Sequence, residues 1–328
     1  MNKEFFLILL KRLLTSIVVL FLMITFIFIL LRLSPGNPVN KFISPELSPE
    51  IIEKIKADFD LNDTILNQYL SFLTNLMSGE LGISYNYREP VLKLIMQFLP
   101  FTIIFTLISF TLQVAVSGIL AALSVKKLNG VLDSALIKFN LIIFSLPSFV
   151  IGVFLILIFS DVLELLPSSG LRSYDFDSKS FIQKVLDYAS HLIMPVMTLA
   201  IGGIAVFYRY LRDGFEETIN KLFILNLKAN GFSDKTIMLK HIIPNALGPF
   251  IAAAGVELGI LLGGALITEV IFSLPGMGRL TINAIMQRDY PLIIGCSLTA
   301  GTMVILSNLF ADLVRAKLDK RLTKDIIN

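Results

Sequence analysis

The run LLTSIVVLFLMITFIFILL, residues 13–31, holds 19 residues without a charge and follows Lys3, Lys11 and Arg12. At about 1.5 Å per helical residue, roughly 20 mostly apolar residues cross the ~30 Å hydrocarbon core, so this run is long enough to span a bilayer. A secretory leader also joins a basic start to an apolar run. Its apolar region is usually about 7–15 residues, however, and Ser34-Pro35-Gly36-Asn37-Pro38 has no small-residue cleavage pattern. The run reads as an uncleaved first span, residues 13–33, behind an N-terminal segment, residues 1–12.

Working outward, charge-free runs recur at 98–125, 139–160, 191–208 and 291–311, and a fifth at 246–268 is interrupted only by Glu257. Six spans predict an all-α transmembrane protein with both termini on one side. Composition agrees: 55% of the 328 residues are hydrophobic and 16% charged, against about 25% charged in ordinary globular chains. A soluble domain of this size has too little interior to hide so much apolar surface. A net charge of +3 leaves no basic footprint for nucleic acid. Cys296 is the single cysteine, and His191 and His241 are the two histidines. That excludes a disulfide framework, a cysteine-based zinc or iron–sulfur centre and a histidine-rich metal centre.

Basic residues orient the spans, since loops rich in Lys and Arg stay in the cytoplasm. With both termini inside, the cytoplasmic segments hold 17 basic against 9 acidic residues, and the outer segments 11 against 15. Two connections are too long to be plain turns. The outer one, residues 34–97, reads as a small ordered extracytoplasmic subdomain. A helix is predicted over 48–59, capped by Ser48 with Glu50 and Glu53 in its early turns, and a second over 66–76. The inner one, residues 209–244, is the longest cytoplasmic piece and must carry any docking surface on that side. The rest of the chain, 98–328, forms a five-span core ending in a cytoplasmic tail, 315–328.

Enzyme signatures are absent. The chain has no G-x-x-x-x-G-K-[ST] phosphate loop, no H-E-x-x-H and no G-x-S-x-G. Ser124-Val125-Lys126-Lys127 matches S-x-x-K, but at the end of a span and without companion motifs. Uphill transport would therefore need an ion gradient or a second, energy-supplying chain. An ion-coupled secondary carrier shows ionisable groups within its spans and often paired broken helices in related halves. Here the span interiors offer one carboxylate, Glu257, and no such halves. A membrane-embedded enzyme or assembly factor would need a polar constellation that the spans lack.

The inner loop reads Leu225-Asn226-Leu227-Lys228-Ala229-Asn230-Gly231-Phe232-Ser233-Asp234-Lys235 and runs on to His241-Ile242-Ile243-Pro244. This predicts helix, break, helix. Gly231 permits a C-terminal stop, Ser233 is a good N-cap with Asp234 favoured in the first turn, and Pro244 is expected to end the second helix before span five. On physics alone this reads as an ordinary amphipathic surface loop.

Gly231, nine residues, then His241-Ile242-Ile243-Pro244 resembles the coupling loop of permeases in binding-protein-dependent ABC importers. Leu225-Asn226-Leu227 replaces that family's Glu-Ala-Ala. The resemblance extends over most of the chain and is to the dipeptide, oligopeptide and nickel permease branch. It is carried by Leu31-Arg32-Leu33-Ser34-Pro35-Gly36-Asn37-Pro38, Leu61-Asn62-Asp63, Gln68-Tyr69, Leu81-Gly82-Ile83-Ser84 and Leu146-Pro147-Ser148-Phe149. Further along come Leu166-Pro167-Ser168-Ser169-Gly170, His191-Leu192-Ile193-Met194-Pro195, Phe272-Ser273-Leu274-Pro275-Gly276-Met277-Gly278-Arg279 and Arg288-Asp289-Tyr290-Pro291. Pro147 and Pro195 are expected to set kinks or helix starts, and Gly276 and Gly278 tight turns before a short outer helix ending near Tyr290.

The resemblance implies a six-span, type I importer permease in a bacterial-type cytoplasmic (inner) membrane. It would pair with a second homologous permease, two cytoplasmic ATPases carrying ATP and Mg, and an extracytoplasmic solute-binding protein, with no cofactor of its own. The residues it assigns to ATPase coupling are Ala229, Gly231, Ser233, Asp234, Lys235, His241 and Pro244. Cargo stays open between peptides, nickel and metal chelates. Glu257 lies about eleven residues into its run, roughly midway through the core. It is a candidate for the translocation path, or else a carboxylate held at a helix interface. Gly255, Gly259 and Gly263 beside it mark a face where another helix can approach closely.

Overall fold

The computed structural model describes residues 3–33 and 64–318. The helix expected over 48–59, the Ser34–Pro38 and Leu61–Asp63 motifs and most of the tail lie outside those residues. Helix α1, Lys3–Leu33, contains the first apolar run. Helix α2, Ile65–Met77, falls where a second outer helix is expected and starts on Thr64, whose hydroxyl accepts from the Asn67 N–H at 3.3 Å. It lies along α1: Tyr69 and Phe72 set their rings 5.2 and 5.6 Å from Phe28, and the Tyr69 and Thr25 hydroxyls meet at 2.6 Å.

Helix α3, Val91–Ser124, carries the second run. The third run, 139–160, breaks at Pro147, where a kink or helix start is expected. It is a bent pair, α4 (Val131–Ser145) and α5 (Ser148–Ile156, prolonged by a wide turn to Val162), with 94° between the two arms. Pro147 explains the break. It has no N–H to donate, and its ring drives Leu146 out of the helical region to φ −88°, ψ 129°.

Helix α6, Phe181–Ile219, runs 39 residues, about 58 Å, far beyond the apolar stretch 191–208 that announced it. Pro195 stands inside it. After α7 (Leu222–Ala229) and α8 (Asp234–Ile237) come α9 (Ile243–Leu262), α10 (Leu266–Ile271), α11 (Met277–Met286) and α12 (Tyr290–Leu318). The fifth expected span is thus interrupted after Leu262. Gly264 takes φ +119°, and a Cβ there would lie 2.8 Å from the Gly278 nitrogen. Among the described residues, five helical units are long and apolar enough to cross a membrane, with the bent pair as a sixth.

Two long pairings build the core: α3 along α6, and α9 along α12, with α6 also touching α9. Lipid tails are as apolar as leucine, so helices in a bilayer associate by close packing rather than by hydrophobic exclusion. Small residues supply the closeness. At Gly203 a Cβ would lie 2.2 Å from the Gln113 side-chain carbon, and that side chain donates to the Leu199 carbonyl at 3.1 Å. At Gly255 a Cβ would meet Ala311 Cβ at 2.3 Å, and at Gly259 it would meet Val304 Cα at 2.8 Å. The glycine face foreseen beside Glu257 therefore belongs to α12 of the same chain.

Candidate functional site

The 222–244 segment is built as a bracket. Helix α7 closes with a paired cap: the Gly231 N–H donates to the Lys228 carbonyl at 3.0 Å and the Phe232 N–H to the Leu227 carbonyl at 3.2 Å, with Gly231 at φ +78°. That geometry needs a left-handed residue just past the helix, which glycine takes without strain. Ser233 then caps α8, its hydroxyl accepting from the Thr236 N–H at 3.3 Å. Asp234 lies in the first turn, beside the partial positive charge of the helix start.

Pro244 departs from expectation. It does not end the second helix, because α8 continues through a π turn, Met238–Ile242, straight into α9 with Pro244 in the first turn of α9. A widened turn relieves the clash between a proline ring and the carbonyl four residues back, and the Asn245 amide donates to the His241 carbonyl at 2.7 Å.

The bracket has an inner and an outer face. Ile224, Ile237 and Ile242 are buried in one apolar cluster with Ala121 and Val125 at the end of α3, Leu211 and Phe215 of α6, and Ala246 of α9. Leu222, Leu225 and Phe232 are exposed on the other side. Of the residues singled out from the sequence, Ala229, Gly231, Ser233, Asp234, Lys235 and Pro244 are exposed, while His241 is partly covered by the Phe232 ring.

Beside the bracket lies a buried polar knot with no sequence signal, since its members are 79 residues apart. Arg212 grips Asp133 with two parallel hydrogen bonds, Nε to Oδ1 and Nη2 to Oδ2, both 2.9 Å. Ser124 and the Asn129 N–H also donate to that carboxylate, and Tyr208 meets Ser124 at 2.8 Å. Arg212 further donates to Glu216 at 2.5 Å. The knot ties the ends of α3 and α4 to α6, just before α6 delivers the bracket.

A second buried carboxylate lies at the opposite end: Glu269, one of the acidic residues of the outer segments, is completely buried. Its Oε1 accepts from Thr102 of α3 at 3.0 Å and its Oε2 from the Arg279 N–H at 3.0 Å, and Thr102 in turn accepts from the Met277 N–H at 2.8 Å. A carboxylate is thereby set on the N-terminus of α11. Gly276 sits in the expected turn before α11, its N–H donating to the Leu274 carbonyl at 3.0 Å, while Gly278 lies within the first turn of α11. Neither has positive φ, and both leave room: a Cβ would lie 2.3 Å from the Glu269 carboxyl at Gly276, and 2.7 Å from Leu266 Cα at Gly278. Asp289, also fully buried, accepts from Ser84 at 2.5 Å and the Asn86 N–H at 3.0 Å, pinning residues 84–86 to the start of α12. Lys179 at this end is raised above its ordinary pKa by the Asp187 carboxylate at 2.7 Å and by Asp175 at 3.0 Å.

Glu257 is partly buried, and among the described residues it makes no hydrogen bond or ion pair. A charged side chain at mid-bilayer costs on the order of 3 kcal/mol on insertion scales. Among the described residues no three His, Cys, Asp or Glu side chains converge as a metal site.

Residues 5–106 match the N-terminal family model, and residues 114–324 the main family model, of the binding-protein-dependent transport system inner membrane component. The chain is 33% identical to the oligopeptide transport system permease protein OppB of Haemophilus influenzae, covering 95% of this chain and 97% of that one. It is 31% identical to the oligopeptide permease AppB of Bacillus subtilis, with 95% and 98% covered. It is 30% identical to the nickel import system permease NikB of Staphylococcus aureus, with 95% and 90% covered. A solved structure of the MetNI methionine ABC transporter in an inward-facing conformation shares the fold, with a TM-score of 0.52 at 16% identity over 70% of this chain and 97% of that chain.

Proposed function

This chain belongs to the family of binding-protein-dependent transport system inner membrane components, and from that premise we propose that a cytoplasmic ATPase grips its 222–244 bracket to drive import. The protein is a permease subunit of an ABC importer. In this reading the two ATPases bind ATP and Mg, a second homologous permease completes the pore, and a solute-binding protein delivers cargo from outside. Both termini and the bracket face the cytoplasm. The cargo is a peptide, nickel or a metal chelate, in keeping with the relatives' names. An ion-coupled carrier is set aside, since the family works with energy-supplying partners.

The observation that carries the coupling role is the two-faced bracket. Leu222, Leu225 and Phe232 offer an exposed apolar surface, while Ile224, Ile237 and Ile242 are locked into the cluster shared by α3, α6 and α9. Force applied outside is therefore handed to three spans at once. Gly231→Val tests this. A β-branched residue at φ +78° is strained by about 1–2 kcal/mol, roughly a 5–30-fold shift in a local equilibrium. ATP-driven uptake by the reconstituted complex should fall by a similar factor with membrane insertion intact. Unchanged uptake would remove the coupling role.

Orientation is tested by cysteine labelling with a membrane-impermeant thiol reagent. The native Cys296 is 1% exposed and stays silent. Lys235→Cys should react only after permeabilisation, and Ser178→Cys in intact cells. Labelling of position 235 from outside would invert the topology.

A further inference from the structure

We propose that Glu257 is the cation-recognition point of the translocation path, an inference that rests on the permease reading above. Four other carboxylates of the helices are answered within the chain. Asp133 has Arg212, Asp187 has Lys179, Asp312 has Arg12 at 3.5 Å, and Glu269 has Thr102 and the α11 backbone. Among the described residues Glu257 has no hydrogen bond and no ion pair. Helix α12 meets the glycine face of α9 from Ala300 to Ala311, a stretch without Lys or Arg, and α6 meets α9 at Phe207 and Gly214, where its Arg212 is already held by Asp133 and Glu216.

Its placement on α9 follows from the glycines. Gly255, Gly259 and Gly263 face α12, where a Cβ would meet Ala311, Val304 and Ala300. At 3.6 residues per turn, Glu257 stands on the far side of the helix from that seam. Phe250 and Ala254 turn towards the α6 cluster, while Val256 and Ile260 are about half exposed. Glu257 thus lies at the border between packed core and an uncovered strip of α9, midway through the membrane. A carboxylate left there without an internal counter-charge is matched by a cation from outside the chain. In a permease the cation that arrives is cargo: a metal ion, or the ammonium group of a peptide.

The test uses the full complex in proteoliposomes, with Ni²⁺, trilysine and N-acetylated trialanine amide as probes. Glu257→Gln should lower ATP-driven uptake of the cationic probe that the wild type accepts by about tenfold, equivalent to about 1.4 kcal/mol of recognition. Uptake of the neutral peptide and basal ATP hydrolysis should stay unchanged, and Glu257→Asp should restore cation uptake. Nickel and trilysine arms separate a metal from an ammonium source. An equal fall for every probe, or loss of assembly, would mean that Glu257 meets the partner permease instead and overturns the inference. Unchanged cation preference in Glu257→Gln overturns it too, with the importer reading intact. A wild-type complex that imports the neutral peptide but neither Ni²⁺ nor trilysine also overturns the inference while leaving the importer reading intact.

Discussion

Asp133→Ala should destabilise the folded chain by about 3–5 kcal/mol, because it strands the Arg212 guanidinium in a site where its side chain is only 9% exposed. Glu216 remains as a partner at 2.5 Å but is one-third exposed, which places the loss toward the lower end of that range. Both parallel bonds disappear, and the Asn129 N–H loses its acceptor. The measurement is thermal unfolding of the detergent-solubilised complex. The double variant Asp133→Leu with Arg212→Met is the sharper half of the experiment. Replacing a whole buried pair by apolar groups is often neutral, so the double variant should melt well above Asp133→Ala. If the two melt alike, the knot's stability does not come from charge compensation.

The second large effect is expected at Gly278→Ala. The added methyl would lie 2.7 and 2.8 Å from backbone atoms of Leu266 and 2.9 Å from the Glu269 carboxylate. Backbone cannot swing aside as a side-chain tip can, so the substitution should cost about 1–3 kcal/mol and loosen the α10–α11 hairpin. Gly202→Ala is the control. It lies within α6 with nothing within 4 Å of the new atom, and should be neutral or stabilising by up to about 1 kcal/mol. Equal melting of the two variants would show that the hairpin has slack that the geometry denies.

The helices and the bracket were legible because their causes are local. A charge-free run long enough to cross the bilayer predicts a helix wherever it occurs, and each apolar run is mainly helical, with breaks at Leu146-Pro147 and at residues 263–265. Gly231 and Ser233 act on their own neighbours, so a C-terminal stop and an N-cap are readable within a few residues. The bend at Leu146-Pro147 is also a local effect, legible from the proline, although its 94° size is not. Pro244 misled for the complementary reason: a proline predicts a break only if the preceding turn stays α-helical, and here it widens.

What the sequence by itself determined is the solvent of each segment, the family and the position of the bracket, since composition, run length and motif order need no knowledge of neighbours. Tertiary structure alone decided which charges are paired. Asp133 and Arg212 look like ordinary loop charges, and Glu269 like an outer-segment carboxylate, until folding brings residues 79 and 167 positions away against them. The same holds for the glycines. Gly255, Gly276 and Gly278 are small because another segment occupies the space a side chain would need. Glu257, conspicuous in the sequence as a charge inside a span, gains its meaning from the fold, because the packing of α9 against α12 leaves that carboxylate on the other side of the helix, with no hydrogen bond or ion pair among the described residues.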